Sequence, residues 1–480
     1  KVDNINKVSD DTNIIKKCGS TTTVGSGSGN TVVVCGSTVT IGRCGGTVAL
    51  ASGSTQTGFG RTGTVDWQTG SIKTGDFTAA NGEGYFVNTT SGAITVTLPS
   101  SPSAGNIVAI ADYAGTAATN NILIARNSSP IEGGTTNGRI YENRDAITLV
   151  YVDAVQGWVP VNNNEKSTLL PPGYIAATGG TVTTVCTNFK VHTFTGPGTF
   201  QVTCAGNVAG SNKVDYMVLA GGGGGGGSNF PGGGAAGGGA GGWRASAGTD
   251  SGCYSAGPSP LVNGVVAEPV TVQSYPISVG GGGPGAPSGV GAGGVGSNSV
   301  FSVYTSTGGG NGGSPGPGLT KTGAPGGSGG GGTYNGTAGG SGNTPPTTPP
   351  QGNTGGTATG DPFYTAGAGG GAGDVGGPAI TSPTNTGGVG GPSVNSSISG
   401  SSLAYAGGGG GGGGGNPSNP TDGGAGGGAG AGVGGDDPNG SGANAGTANR
   451  GSGGGGGGGA GASGGGNGSG GVVIIRYKFQ

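Results

Sequence analysis

Apolar residues along this chain come in short alternating runs and never at helical spacing. Tyr85-Phe86-Val87, Ile94-Thr95-Val96-Thr97-Leu98, Ile107-Val108-Ala109-Ile110, Ile122-Leu123-Ile124 and Ile147-Thr148-Leu149-Val150-Tyr151-Val152 alternate or run apolar for a strand's length. Turn residues such as Thr90-Ser91-Gly92 and Gly133-Gly134 separate them. Residues 61–165 are therefore expected to form an all-β module, its small core anchored by Trp67 and Trp158 near its ends. A second set of strands is expected over 181–185, 190–194, 199–203, 214–220 and 472–479, with Gly196-Pro197-Gly198 as a turn. No window keeps apolar residues at i, i+3, i+4 and i+7 without glycine, so the fold class is all-β with almost no α-helix.

Ahead of these strands, Thr23-Val24, Thr31-Val32, Thr38-Val39 and Thr47-Val48 recur with turns between them. That period suits a β-helix-like or fibrous stalk over 1–60, with an ordinary meander of short strands as the alternative. A polar, Pro-containing linker is expected at 166–173. From 174 onward a β frame over 174–220, 265–279 and 472–480 brackets one excursion, 221–471. The strands on either side of that excursion are expected to share a sheet.

Composition sharpens the reading of the excursion. Glycine supplies 129 of the 480 residues, and 99 of these lie in 221–480. Runs such as 221–227 and 453–459 exclude the every-third-residue glycine of collagen. Glycine loses much backbone entropy on ordering and buries no side chain, which favours loose loops. The opposing consideration is that glycine runs can take the extended three-residue helix of polyproline II and pack side by side through backbone hydrogen bonds. Packed polyglycine II helices are the expectation, and loose loops the alternative. Charged residues make up 8% and the net charge is −2, so there is no electrostatic case for nucleic acid. No apolar stretch approaches the roughly 20 residues of a membrane span, and no membrane insertion is expected.

Packed rods would carry their distinctive side chains in the loops at their ends. The candidate receptor-binding residues are Phe230, Trp243, Arg244, Tyr254, Tyr334, Phe363, Tyr364 and Tyr405, because aromatic groups on a rigid scaffold give large contact at little entropic cost. The other reading of the same aromatics is that they cover the glycine layer. Cys186 and Cys204 fall in neighbouring expected strands and are disulfide candidates; Cys18, Cys35 and Cys44 are candidates for bridges between rungs or chains, and buried thiols are the alternative for all. No spacing fits a zinc or redox site, and the lone His192 lies in an alternating strand, so no metal, cofactor or catalytic residue is expected. The carboxylates Asp145 and Asp153, or Asp436 and Asp437, are close enough in sequence for a glycosidase pair, but nothing separates them from turn residues. The chain is expected not to be an enzyme.

Several stretches resemble a known family. Thr64-Val65-Asp66-Trp67, Gly84-Tyr85-Phe86-Val87-Asn88-Thr89-Thr90-Ser91-Gly92-Ala93-Ile94-Thr95-Val96-Thr97-Leu98-Pro99, Thr148-Leu149-Val150-Tyr151-Val152-Asp153 and Gly157-Trp158 are similar to a module of tail-fibre-like structural proteins of marine, especially cyanobacterial, tailed bacteriophages. Val191-His192-Thr193-Phe194-Thr195-Gly196-Pro197-Gly198-Thr199-Phe200, Val214-Asp215-Tyr216-Met217-Val218-Leu219-Ala220-Gly221-Gly222 and Gly470-Gly471-Val472-Val473-Ile474-Ile475-Arg476-Tyr477 resemble the glycine-rich domain at the ends of such proteins. The resemblance implies a virion tail fibre or adhesin, a homotrimer whose glycine-rich tip contacts host surface polysaccharide or outer-membrane protein. The alternative is a secreted or cell-surface protein that assembles into filaments through β contacts and disulfides.

Overall fold

The computed structural model describes residues 65–161, 172–207, 210–252, 254–289, 291–360, 364–381, 385–415, 421–437, 448–459 and 461–480. The stalk expected over 1–60, with Cys18, Cys35 and Cys44, lies outside these residues, as do most of the linker, Cys253 and Phe363. No helix occurs among the described residues; the fold is all-β.

The first module contains β1 (Asp66–Trp67), β2 (Phe77–Thr78), β3 (Glu83–Val87), β4 (Ile94–Thr97), β5 (Ile107–Asp112), β6 (Ile122–Ala125), β7 (Gly138–Ile140), β8 (Ala146–Tyr151) and β9 (Trp158–Pro160). Strands β1, β3 and β5 pair in parallel in one sheet, and β2, β4 and β6 in parallel in another. The chain thus changes sheet at every strand, stacking rungs as a β-solenoid does, until antiparallel β7 and the β8–β9 pair end the pattern. Alternation with period two is common to a meander and a solenoid, which is why the strands could be read from sequence and their rung order could not. Val96, Leu98, Val108, Ile110, Ile124, Leu149 and Trp158 fill the space between the sheets. Trp67 departs from expectation: it lies on the short edge strand, 37% exposed, with its ring 4.9 Å from that of Phe86.

The glycine-rich part is framed by β10 (Ile175–Thr178), β11 (Thr181–Val185), β12 (Phe189–Phe194), β13 (Gly198–Ala205), β14 (Lys213–Leu219), β15 (Trp243–Ala245), β16 (Glu268–Pro269), β17 (Ser274–Ser278), β18 (Ser299–Phe301), β19 (Tyr304–Ser306), the hairpin β20 (Val394–Ser396) and β21 (Leu403–Tyr405), and β22 (Val472–Lys478). As expected, the strands flanking the excursion are neighbours: β14 and β22 pair antiparallel in the order β11-β12-β22-β14-β15. The segment 265–279 divides, β16 pairing with β14 while β17 joins a second sheet, β10-β13-β17-β18-β19. Alternate residues of the central strands serve two cores. Val214, Tyr216, Val218, Val473, Ile475 and Tyr477 pack between the sheets, and Met217, Leu219, Val472 and Ile474 pack on the opposite face.

Beyond β14 the backbone hydrogen bonds follow a period of three. In rod 220–227, Gly221 and Gly224 donate to Ser297 and Gly294, Gly222 and Gly225 to Ser469 and Gly466, and Gly223 and Gly226 to Gly239 and Ala236. The carbonyls of the same residues accept from Gly309 and Gly312, Gly283 and Ala286, and Gly454 and Gly457. One extended helix with three residues per turn is therefore surrounded by six others, the hexagonal packing of polyglycine II. Rods 234–242, 364–371 and 406–414 likewise exchange bonds with six neighbours each. None of Gly221 to Gly227 has a positive φ, so glycine serves here by lacking a Cβ and not through left-handed freedom. A Cβ on Gly224 would lie 2.0 Å from the Pro284 carbonyl oxygen, and one on Gly225 2.0 Å from that of Gly455. Peripheral rods carry a side chain at every third residue: in Thr386-Gly387-Gly388-Val389-Gly390-Gly391-Pro392 the glycines are buried, while Val389 and Pro392 face outward.

Candidate functional site

Rod 220–227 leaves the frame directly after β14 and turns back at residues 228–233 before rod 234–242 returns to β15. Register along the neighbouring rods brings three more loops to that same far end: Gly313 pairs with Ala236, Gly331 with Gly237, and Tyr364 with Gly234. Each loop is closed at its base. Ser228 Oγ donates to the Gly233 carbonyl at 2.6 Å, the Ser314 N–H to the Thr320 carbonyl at 3.0 Å, and Thr337 Oγ1 to the Thr333 carbonyl. Thr359 Oγ1 and Thr365 Oγ1 lie 2.7 Å apart, and the Thr359 N–H donates to the Thr365 carbonyl.

These loops bring Phe230, Tyr334 and Tyr364 into one cluster. The two tyrosine rings stack at 4.8 Å and 15°, and Phe230 meets Tyr334 edge-on at 5.3 Å and Tyr364 at 6.5 Å. All three are half-buried. Lys321 Nζ sits 4.5 Å from the Tyr334 ring centroid. Among the described residues the one ion pair is Lys213–Asp250 at 3.8 Å, so none of their carboxylates neutralises Lys321. Tyr334 and Asn335 follow each other at φ 56° and 53°, and Tyr364 has φ 42°. Glycine or asparagine adopts this backbone at less cost, and a tyrosine held there points to a role for the side chain.

The other candidates are placed elsewhere. Trp243 and Tyr405 are corrected from loop-borne contacts to core residues: both are buried where rods meet strands, with rings 5.9 Å apart and the Arg450 guanidinium 4.9 Å from the Tyr405 centroid. Rods have almost no side chains, so bulky residues at the frame end fill the step from lattice to sheet. Tyr254 lies under Arg476, whose guanidinium is 4.8 Å from that ring and 5.0 Å from Phe189. Arg244 is half-buried on β15. Cys186 and Cys204 are free and exposed, correcting their expected pairing. Cys186 occupies the β11–β12 turn whereas Cys204 lies on β13 of the other sheet, because the chain changes sheet after β12.

His192 serves the frame. Its Nδ1 is 2.7 Å from the Gly179 carbonyl and its Nε2 3.1 Å from the Tyr477 hydroxyl, and the ring is fully buried. Since a carbonyl only accepts, Nδ1 carries the hydrogen and the Tyr477 hydroxyl donates to Nε2. Burial pushes the Tyr477 phenol up to about 12, keeping that donor protonated. Sequence reasoning missed Lys321; its signal was being the one lysine between Lys213 and Lys478.

An all-β frame that launches a polyglycine II lattice defines the class of this protein. Residues 194–478 match the family described as a glycine-rich domain, more than half of the sequence, and the chain belongs to that family. No curated protein matches the chain.

Proposed function

We propose that the chain is a non-enzymatic attachment protein, a virion tail fibre or adhesin whose lattice presents loops to a host surface glycan or outer-membrane protein. The observation that carries this reading is the convergence of four closed loops on Phe230, Tyr334 and Tyr364 at the lattice end remote from the strands. Side chains fixed on a rigid support lose little entropy on binding, which suits contact through a small area. The resemblance to phage fibres adds a homotrimer as the expected assembly.

Native mass measurement of the purified chain, with cell-binding assays on cyanobacterial hosts, tests the proposal. A closed trimer that adsorbs to cells, and loses adsorption in Phe230→Ser and Tyr334→Asn variants that still assemble, is the expected result. Failure of the wild-type protein to adsorb overturns attachment. An open polymer joined through Cys186 or Cys204, both exposed, favours the second reading of an extracellular filament.

A further inference from the structure

The cluster at the far end combines two chemistries that few ligands satisfy together. Three rings offer apolar faces and edges, and beside them stands a lysine ammonium held on a tyrosine ring with no carboxylate against it among the described residues. Asn229 and Asn335 are exposed on two of the same loops, supplying amide donors and acceptors. Aromatic side chains contribute roughly 150–250 Å² each when wholly covered. Three half-buried rings therefore fall well short of the roughly 800 Å² per partner of a stable protein–protein contact. The site is sized for a few sugar units. Saccharide rings present C–H faces to aromatic groups, and a uronate or sulfate ester adds the anion that complements Lys321.

We infer that the cluster of Phe230, Tyr334 and Tyr364 with Lys321 is a binding site for an acidic saccharide. The inference rests on the attachment reading and specifies its ligand class. The aromatic rings set where the sugar lies, and Lys321 selects for its negative charge. Binding a carboxylate draws the ammonium into a charge-assisted hydrogen bond while the ring remains as the packing surface. Being partly electrostatic, the contact weakens as salt shortens the screening length from roughly 30 Å at 0.01 M to 8 Å at 0.15 M.

Titration calorimetry on the full chain tests this with an alginate hexamer as polyuronate and cellohexaose as a neutral comparison. The expected result is binding of the alginate hexamer alone, weakening with salt. Lys321→Gln is expected to lower that affinity about tenfold, equivalent to roughly 1.4 kcal/mol, and to remove most of its salt dependence. Tyr334→Asn, a residue that tolerates the same backbone, is expected to abolish binding with an unchanged melting temperature. Equal binding of both oligosaccharides, no binding of either, or unchanged affinity in Lys321→Gln overturns the inference. Adsorption to cells that survives in Lys321→Gln leaves attachment standing and removes the acidic-saccharide site, so the two readings fail separately.

Discussion

At most glycines inside the lattice an added methyl group would strike backbone, while at the rim it meets open space. Gly224→Ala places a Cβ 2.0 Å from a backbone oxygen that has no rotamer with which to yield, whereas nothing lies within 4 Å of a Cβ on Gly281. The first substitution is expected to cost about 3 kcal/mol or more, at the upper end of overpacking, and the second to be nearly neutral. Paired denaturant titrations of the two variants check this. His192 gives a prediction in pH. Burial, the largest effect, holds its imidazole below the ordinary 6.5. The unfolded chain therefore binds more protons between that lower value and 6.5. The stability His192 contributes is complete above about pH 6.5 and falls away as pH drops through the folded value. His192→Phe is expected to flatten the slope of melting temperature against pH in that window. Asp112 acts in a lower one. Burial opposes its ionisation, but N–H donors from Arg144, Ala117, Thr116 and Gly115 hold its carboxyl below 3.8, so its contribution is lost only in stronger acid.

Strands and rods were unequally legible. Alternation identified β3 to β6, β8 and the pair β14 and β22, because each strand's side chains report the face it buries. The two-residue β1 and β2 carry too little pattern to be seen, and Trp67 on β1 was misplaced with them. Rods are harder to read, since a glycine has no side chain to specify which neighbour receives its N–H. What was legible, and overlooked, is the contrast between rods of glycine and alanine alone, such as 234–242, which lie inside, and rods such as 386–392, whose outward residues interrupt them at every third position. The aromatics divided for the same reason. Phe230, Tyr334 and Tyr364 follow or precede rods at one end and Trp243 and Tyr405 at the other, and composition alone does not tell the ends apart. At the frame end, Arg476 of β22 stands opposite Asp215 of β14, its Nε donating to the Ser251 carbonyl at 3.0 Å. Asp215 accepts from Ser246 Oγ at 2.7 Å and from the Ser251 N–H at 2.8 Å. Arg476→Met is expected to cost about 1–3 kcal/mol, because it leaves the Ser251 carbonyl without the Nε donor that satisfies it. The shift in urea midpoint measures it.

For the whole glycine-rich part, order comes from backbone bonds where most proteins rely on side-chain burial. Amides of Gly222 to Gly226 and Gly408 to Gly413 are therefore expected to resist hydrogen exchange as strongly as those of β14 and β22, while amides of Asn229, Gly316 and Gly318 exchange rapidly. Mass spectrometry of peptides from deuterated protein checks the contrast, and rapid exchange along the rods would return them to the status of loops. The period of three has a further consequence, for how such a chain can change length. One residue added within a rod turns every later N–H by a third of a revolution, toward the wrong neighbour, so viable insertions and deletions there come in whole triplets. The loops at the far end obey no such arithmetic. Among descendants of one ancestor, rods should differ by threes and loops by any number, leaving the chemistry at the tip free to diversify while the lattice beneath it keeps count.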